Sequence, residues 1–293
     1  MKFEVSHRTK YSYRVPVVQS YHLVHLKPRQ SAAQSVAHHS LLIEPAPVAS
    51  TEVIDYFGNT GTLLRIEDEH TEFIVHARST VEIHPPVAPD LRLSAAWEGV
   101  TTLASAESGP LEVNVLQFTC ASRHAPISAE LADFARASFP AQRPILAGAM
   151  DLTRRIFTEF IFDPKATDIS TPVARVLASK RGVCQDFAHL AIASLRSLGL
   201  PARYVSGYLM TRPPPGQVKL RGADASHAWV SVFCGESSGW IDTDPTNNLL
   251  PGDRHITVAW GRDFSDVSPL RGVVVGGGGH ELKVSVDVAR IEE

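Results

Sequence analysis

The chain has 293 residues, of which 44% are hydrophobic, so it is long enough for one large or two ordinary domains with proper cores. This composition excludes a disordered protein. The formal net charge is −3, from 28 basic and 31 acidic residues. Because neither sign forms a long run, we expect no nucleic-acid partner and no membrane partner.

The cysteine content argues against a disulfide framework, since the chain has only Cys120, Cys184 and Cys234 and an odd thiol must remain. The N-terminus alternates like a β-strand and has no apolar segment typical of a signal peptide. No stretch approaches the ~20 continuous apolar residues that a transmembrane helix needs. These features predict a cytoplasmic protein.

Residues 1–120 predict an N-terminal antiparallel β domain. Short alternating segments, such as residues 52–57 and 72–77, are separated by turn residues, which favours a sandwich-like arrangement of two packed sheets. Residues 84–89 predict a stiff, proline-rich connector. Four histidines in this region lack a cysteine or carboxylate at a recognisable ligand spacing, so we predict no metal site among them: His22, His25, His38 and His39.

Residues 121–293 predict a second unit, because the hydrophobic periodicity changes to that of helices. Residues 128–139 and 145–160 predict two helices, and Thr171 followed by Pro172 predicts the start of a third, with proline at its first helical position. Strands at residues 202–210 and beyond follow these helices. The pattern predicts an α+β protein in which helices pack on an antiparallel sheet.

Cys184 lies in the first turn of a further predicted helix, whose apolar residues recur from Phe187 until Gly199 and Pro201 stop them. The first N–H groups of a helix lack internal partners and carry the positive end of the macrodipole. Such a position favours a thiolate nucleophile and can receive an oxyanion. The competing interpretation is a small buried cysteine. We expect Asp186 to complement the helix N-terminus rather than to take part in chemistry.

Two later segments supply a candidate base and a candidate carboxylate. His227 lies at the start of a predicted strand, and a short strand carrying Asp242 and Asp244 on one face follows. Opposed residues on adjacent antiparallel strands approach within roughly 5 Å, so an imidazole and a carboxylate could lie side by side. Trp229 is either the wall of an acyl-donor channel or a buried aromatic residue, and the sequence favours neither.

The C-terminal segment predicts a last alternating strand at residues 282–288, after four consecutive glycines at 276–279. The glycine run lacks the Gly-Lys-Ser/Thr ending of a phosphate-binding loop, so we interpret it as a turn. His280, which follows the run, is predicted to lie at the surface.

Three motifs carry a resemblance to a known family. They are Gly-Val-Cys-Gln-Asp-Phe-Ala from residue 182, Ser-His-Ala-Trp-Val from residue 226, and Gly-Trp-Ile-Asp-Thr-Asp-Pro-Thr-Asn-Asn from residue 239. In this order they resemble the bacterial branch of the transglutaminase-like superfamily of papain-type cysteine enzymes. Residues 3–7 are similar to the N-terminal β region of bacterial members. The likeness covers nearly the whole chain and is thinnest at residues 213–222, where substrate specificity could lie.

The resemblance implies a role for each matching residue. It implies that Cys184 is the nucleophile, that His227 is the base, and that Asp244, which precedes a proline, orients the histidine. Asp242 is the competitor for that third role. No cofactor and no metal are implied, and no loop has acidic residues at calcium-ligand spacing.

The activity implied by the resemblance is cysteine-dependent acyl transfer through a thioester, at a glutamine-type carboxamide or a peptide carbonyl. The expected partners are a protein or peptide substrate and an amine acceptor. Two alternatives stay open at this point. The first is a cysteine protease or amidase that uses water as the acceptor, and the second is a non-catalytic peptide-binding module that keeps the groove.

Overall fold

The computed structural model describes residues 1–84, 87–104, 113–211 and 226–291. All of residues 213–222, the segment in which specificity could lie, are therefore outside the described residues, as are positions 85 and 86 of the predicted connector. None of the helices in these ranges is long and apolar enough to cross a lipid bilayer.

The strands of the described ranges are β1 (Lys2–Val24), β2 (Gln34–Glu44), β3 (Ala49–Ile54), β4 (Thr60–Ile66), β5 (His70–Ile83), β6 (Ile161–Phe162), β7 (Arg181–Gly182), β8 (Ala202–Leu209), β9 (Ser226–Phe233), β10 (Trp240–Thr243), β11 (His255–Gly261), β12 (Leu270–Gly276) and β13 (His280–Arg290). The helices are α1 (Trp97–Leu103), α2 (Val113–Leu116), α3 (Ala129–Arg136), α4 (Ile145–Glu159), α5 (Val173–Ser179), α6 (Cys184–Ser197) and α7 (Phe264–Val267).

The N-terminal region is an antiparallel sheet, as predicted, in which β2, β5, β1, β4 and β3 are neighbours. The long strand β1 belongs to both halves of this sheet. Up to Ser12 it pairs with β5, and from Ser20 it pairs with β4, with an irregularity between Ser12 and Val17. Because β1 is continuous, the predicted pair of sheets is joined into one hydrogen-bonded sheet of seven strands within the described residues.

The C-terminal strands return to this sheet, since both β12 and β13 pair with β1. The predicted strand at residues 282–288 lies within β13, but its partner belongs to the N-terminal region. The predicted division at residue 120 assigned residues 270–290 to the core, whereas β12 and β13 pair with β1 of the N-terminal sheet.

The glycine run is a turn, as predicted. Gly276 has a φ of 98°, and a Cβ at this position would lie 2.5 Å from the Pro16 carbonyl oxygen. His280 is exposed, as predicted.

The core has a four-stranded antiparallel sheet with the order β10, β9, β8, β11, and α6 packs against β8 and β9. Helix α6 is the central helix, because buried residues such as Leu190 and Leu195 occur on all its sides. The helices predicted at 128–139 and 145–160 correspond to α3 and α4. Ser128 caps α3 by accepting a hydrogen bond from the Leu131 N–H at 3.2 Å.

The start of α5 differs from the prediction. Pro172 is the N-cap residue, in an extended conformation, and not the first helical residue. The Thr171 hydroxyl does not cap the helix but accepts a hydrogen bond from the Asp168 N–H at 3.0 Å. The sequence pattern was therefore right about the helix but placed its first residue one position early, because the hydroxyl bonds to the preceding turn.

The N-terminal sheet and the core share apolar packing. Phe3 of β1, Val81 of β5 and Val286 of β13 belong to the same cluster of buried side chains as Leu190 of α6 and Val230 of β9. Burial of such side chains stabilises the packed regions by roughly 1.5–3 kcal/mol for each large one. The two regions are therefore held together by hydrophobic burial as well as by β13.

Two amide side chains of the N-terminal region cover the free edge of β11. Gln34 donates to the Thr257 carbonyl oxygen and accepts from the Thr257 N–H, both at 2.8 Å. Asn59 bonds in the same way to Trp260, donating at 2.8 Å and accepting at 2.9 Å. These contacts satisfy backbone groups that an edge strand otherwise leaves unpaired. They fix the N-terminal sheet against the strand that begins at His255.

Gly207 of β8 gives a test of the packing between β8, β9 and β11, and it lies opposite His227 in β9. A Cβ at Gly207 would lie 2.1 Å from the Ile256 carbonyl oxygen and 2.5 Å from the Trp229 ring. Because this overpacks the core, we expect Gly207→Ala to lower the free energy of unfolding by about 1–3 kcal/mol. Urea titration measures this change. In the control Gly99→Ala, the added Cβ meets nothing within 4 Å on exposed α1, so stability should stay or rise. An unchanged midpoint for Gly207→Ala would contradict this packing.

Candidate active site

Cys184 is the first residue of α6 and so lies in the first helical turn, as the sequence predicted, and its side chain is partly buried. The start of the helix is held by Asp186, whose Oδ2 accepts from the Val183 N–H at 2.8 Å and from the Thr167 hydroxyl at 2.6 Å. Burial raises the pKa of Asp186, and these hydrogen bonds only partly oppose that effect. Asp186 therefore complements the helix N-terminus, as expected, and fixes the turn that presents Cys184.

His227 is the second residue of β9 and is 9% exposed. Its Nε2 lies 2.8 Å from Oδ2 of Asp244. Cys184 is its other neighbour and is among the groups that raise the pKa of this imidazole. Burial lowers the pKa of His227, but the hydrogen bonds and negative charges of Asp244 and Cys184 outweigh burial and raise it from 6.5 to about 10. The imidazole is therefore protonated at neutral pH.

Asp244 is fully buried, and five hydrogen bonds reach its carboxylate. Oδ2 accepts from His227 Nε2 at 2.8 Å, from Asn247 Nδ2 at 2.7 Å and from His255 Nε2 at 3.1 Å. Oδ1 accepts from the backbone N–H groups of Thr246 at 2.9 Å and Asn247 at 3.1 Å. Burial raises the pKa of Asp244, but the donors hold it well below its usual range. The carboxylate is ionised and fixed in orientation.

The structure brings Asp244 to the histidine, whereas Asp242 accepts a hydrogen bond from Trp229 Nε1 at 2.8 Å. Thr243 lies opposite Val230 in the pairing of β10 with β9. Each aspartate therefore contacts the residue diagonal to it, and not the residue directly opposite as the sequence argument assumed. The two carboxylates share a face, as predicted, but serve different partners.

Trp229 is fully buried. Its ring centroid lies 6.0 Å from that of His227 and 5.2 Å from that of His255, in an edge-on arrangement with the latter. Of the two interpretations that the sequence left open, the structure corresponds to the buried aromatic residue. Trp229 packs beside the two imidazoles and is inaccessible to solvent.

His255, the first residue of β11, is the member of this cluster that sequence reasoning missed. It is 7% exposed, and its contact with Asp244 crosses between strands that are not adjacent in the sheet. The available signal was a histidine at the head of an apolar strand, the same pattern that singled out His227. Local periodicity could not show that both strand starts converge on one carboxylate.

The imidazoles of His227 and His255 and the carboxylate of Asp244 also form a group that could hold a metal ion. Their ligand atoms lie within 4.8 Å of one another, and two imidazoles with one carboxylate suit divalent transition metals. The sequence predicted no metal, and that prediction remains untested. In the described ranges, the histidines at positions 22, 25, 38 and 39 form no such group.

The other two cysteines differ from Cys184 in their surroundings. All three thiols are free, with Cys120 exposed and Cys234 buried. Burial raises the pKa of Cys234 to about 12, which leaves it protonated and unreactive at neutral pH. Cys120 then provides an exposed reference thiol in the same molecule.

Comparison with known proteins agrees with this fold. The bacterial transglutaminase-like N-terminal region matches residues 3–82, and the transglutaminase-like superfamily matches residues 133–245. An uncharacterized protein of Mycobacterium tuberculosis is 39% identical, across 99% of this chain and 93% of its own length. The structure of a protein from Cytophaga hutchinsonii, proposed to be a cysteine protease, has a TM-score of 0.80 at 23% identity, covering 100% of this chain and 91% of that one.

A shorter similarity connects the chain to a protein-glutamine gamma-glutamyltransferase of Pseudomonas aeruginosa, which is 28% identical over 127 residues, or 43% of this chain and 19% of that protein. The fold and the superfamily match together define a cysteine-dependent enzyme of papain-like α+β architecture. The chain belongs to the transglutaminase-like superfamily. The predicted family and the predicted fold class are thereby confirmed.

Proposed function

We propose that the protein transfers acyl groups through a thioester formed on Cys184. The observation that carries this proposal is the hydrogen bond from His227 Nε2 to buried Asp244 at 2.8 Å, with Cys184 at the start of α6 as the neighbour that also raises the pKa of His227. A protonated imidazole between a sulfur and a buried carboxylate stabilises a thiolate at neutral pH. Cys184 is then the nucleophile, His227 the acid and base, and Asp244 the residue that orients the imidazole.

In the first half-reaction, the Cys184 thiolate attacks the carbonyl carbon of the donor, and the carbonyl π electrons move to oxygen. Backbone N–H groups at the start of α6 lack helical partners and are suited to hold this oxyanion. As the C–N bond breaks, His227 gives its proton to the departing nitrogen. Ammonia leaves from a carboxamide, and a thioester with neutral His227 remains.

In the second half-reaction, neutral His227 removes a proton from an incoming amine or water, which attacks the thioester carbonyl. The C–S bond then breaks and returns the thiolate. Asp244 holds the imidazole in one orientation and stabilises the charge that it regains. Every proton is therefore carried by groups of this chain, and the reaction needs no added redox partner.

The donor that we favour is a glutamine-type carboxamide in a protein or peptide, with a primary amine as acceptor. The support is the similarity of part of the chain to the glutamyltransferase of Pseudomonas aeruginosa. A protease or amidase shares the first half-reaction and differs only in admitting water. The acceptor is therefore the property that an assay must decide.

The test uses a glutamine-containing peptide and a fluorescent primary amine, and follows both ammonia release and amine incorporation. A transferase should release ammonia and incorporate amine in nearly equal amounts at high amine concentration. Ammonia or cleaved peptide without incorporation would identify a hydrolase. If neither product forms and no acyl group becomes attached to Cys184 with any of several peptide donors, the acyl-transfer proposal is wrong and a peptide-binding module is favoured.

A cytoplasmic location is also part of the proposal. Its support is the presence of three free thiols and no disulfide among the described residues. Cell fractionation tests it, and recovery of the protein outside the cytoplasmic fraction would contradict it.

A further inference from the structure

His255 and His227 converge on one oxygen atom, Oδ2 of Asp244. The Nε2 atoms of the two imidazoles lie 3.1 Å and 2.8 Å from it. An ionised carboxylate can only accept hydrogen bonds, so each of these nitrogens donates a proton to it. His255 thus holds the same atom that orients the proposed base.

The position of His255 is itself fixed by its surroundings. Its backbone N–H donates to the Gly252 carbonyl oxygen at 3.3 Å, and its Cα pairs with that of Leu209 across β11 and β8. The Trp229 ring stands nearly perpendicular to its imidazole, at an interplanar angle of 83°. A buried side chain whose ring orientation is fixed by packing can hold its hydrogen-bond partner in one orientation.

The rest of the Asp244 carboxylate is also saturated. Oδ1 receives two backbone N–H groups, and Asn247 supplies a further donor to Oδ2. Those contacts come from the turn that follows β10, whereas His255 approaches from β11 at the other edge of the sheet. Apart from His227 itself, His255 is therefore the side chain that holds the carboxylate from outside its own turn.

We propose that His255 is a positioning residue of the active site, which acts on His227 by holding Oδ2 of Asp244 through its Nε2–H. The role rests on the proposed function of Cys184 and His227. Without this donor, the contacts that hold the carboxylate against His227 come only from its own turn, and the carboxylate can rotate relative to the imidazole of His227. Misplacement of a catalytic group by about 1 Å costs on the order of 10²-fold in rate. The loss should fall on kcat, because His255 is buried and its contact with the site is through Asp244.

A pair of substitutions tests the donor separately from the ring. His255→Phe keeps a ring of similar size but has no N–H, whereas His255→Gln places an amide N–H near the position of Nε2. We expect His255→Phe to lower kcat on the order of 10²-fold with KM unchanged. His255→Gln should recover most of that loss. Circular dichroism and thermal unfolding check that both variants fold.

Two results would overturn the proposal. Wild-type kcat in folded His255→Phe would show that the contact does not position the site. A loss in His255→Gln as large as in His255→Phe would show that the imidazole ring, and not the donated hydrogen bond, is what matters. A third experiment addresses the metal alternative: if chelation abolishes activity and zinc ions restore it, the cluster is a metal site and the proposal is wrong.

Alkylation separates this proposal from the acyl-transfer proposal. The rate at which iodoacetamide modifies Cys184, relative to Cys120, reports the Cys184–His227 pair without any substrate. His255→Phe should lower this ratio and His255→Gln should largely restore it, even if every peptide donor fails. An unchanged ratio in His255→Phe would refute the positioning role.

A measurement on the unaltered protein covers the case in which His255→Phe does not fold. In ¹⁵N NMR of histidine-labelled protein, Nε2 of both imidazoles should carry a proton at neutral pH, and mutation of Asp244 should shift both signals. An unprotonated Nε2 on His255 would contradict the contact on which the proposal depends.

Discussion

Replacement of Cys184 by serine is expected to lower turnover by about 10⁴-fold or more, the size of loss seen when a catalytic nucleophile is removed. A serine hydroxyl occupies almost the same volume, so α6 should keep its start and the protein its fold. The hydroxyl, however, is not ionised by an imidazolium beside it at neutral pH. Ammonia release from a glutamine peptide measures the effect, and thermal unfolding checks the fold.

The matched control is Cys120→Ser, which removes an exposed thiol outside the Cys184–His227–Asp244 cluster. It should leave both turnover and stability unchanged. Retention of more than a tenth of the wild-type turnover by folded Cys184→Ser would sink the assignment of the nucleophile. Loss of turnover in Cys120→Ser would show that a different thiol contributes.

The second large effect is expected from Asp244→Asn, which should lower turnover by about 10³–10⁴-fold, as loss of the orienting aspartate does in related triads. The amide removes the negative charge beside His227 and can turn its NH₂ group towards the imidazole. Asp242→Asn is the control, because Asp242 contacts Trp229 and not His227. We expect the control to retain turnover within a few-fold.

Asp244→Asn should also change how the free energy of unfolding depends on pH. Asp244 is one of the groups that raise the pKa of His227 from 6.5 to about 10. In wild type, the contribution of the His227 imidazolium to the free energy of unfolding is fully present below pH 6.5 and is lost as the pH rises through about 10. With Asn at position 244 the pKa of His227 falls, so this loss should move to lower pH. Urea titrations at a series of pH values measure this loss, and a loss that stays at the same pH in Asp244→Asn would contradict the role of Asp244.

A reversed outcome would be equally informative. If Asp242→Asn abolished turnover and Asp244→Asn did not, the contact of His227 with Asp244 would be structural. The sequence left both aspartates open because strand alternation puts them on one face. Only the register of β9 and β10 decides which of them lies diagonal to His227.

The local features of the site could be predicted from the sequence because they follow from short-range patterns. The apolar period from Phe187 located α6 and placed Cys184 in its first turn. The change from small polar to apolar residues located the start of β9 at Ser226, next to His227. The proline after Asp244 marked the turn that closes β10.

The features that the sequence did not reveal depend on contacts between distant segments. β13 pairs with β1 across nearly the whole chain, and no local period records such a partner. His255 reaches Asp244 from the opposite edge of a four-stranded sheet, so its role depends on strand order. Strand order and register are set by packing of the whole core, which is why these contacts required the structure.

The central claim is that His227 activates Cys184, and alkylation by iodoacetamide tests it most directly. The rates at Cys184 and Cys120 are followed against pH by mass spectrometry, in wild type and in His227→Ala. We predict that Cys184 reacts faster than the exposed Cys120 at neutral pH and that His227→Ala removes this advantage. A Cys184 that reacts no faster than Cys120, and whose rate is the same in His227→Ala, would contradict an activated pair and favour a binding module.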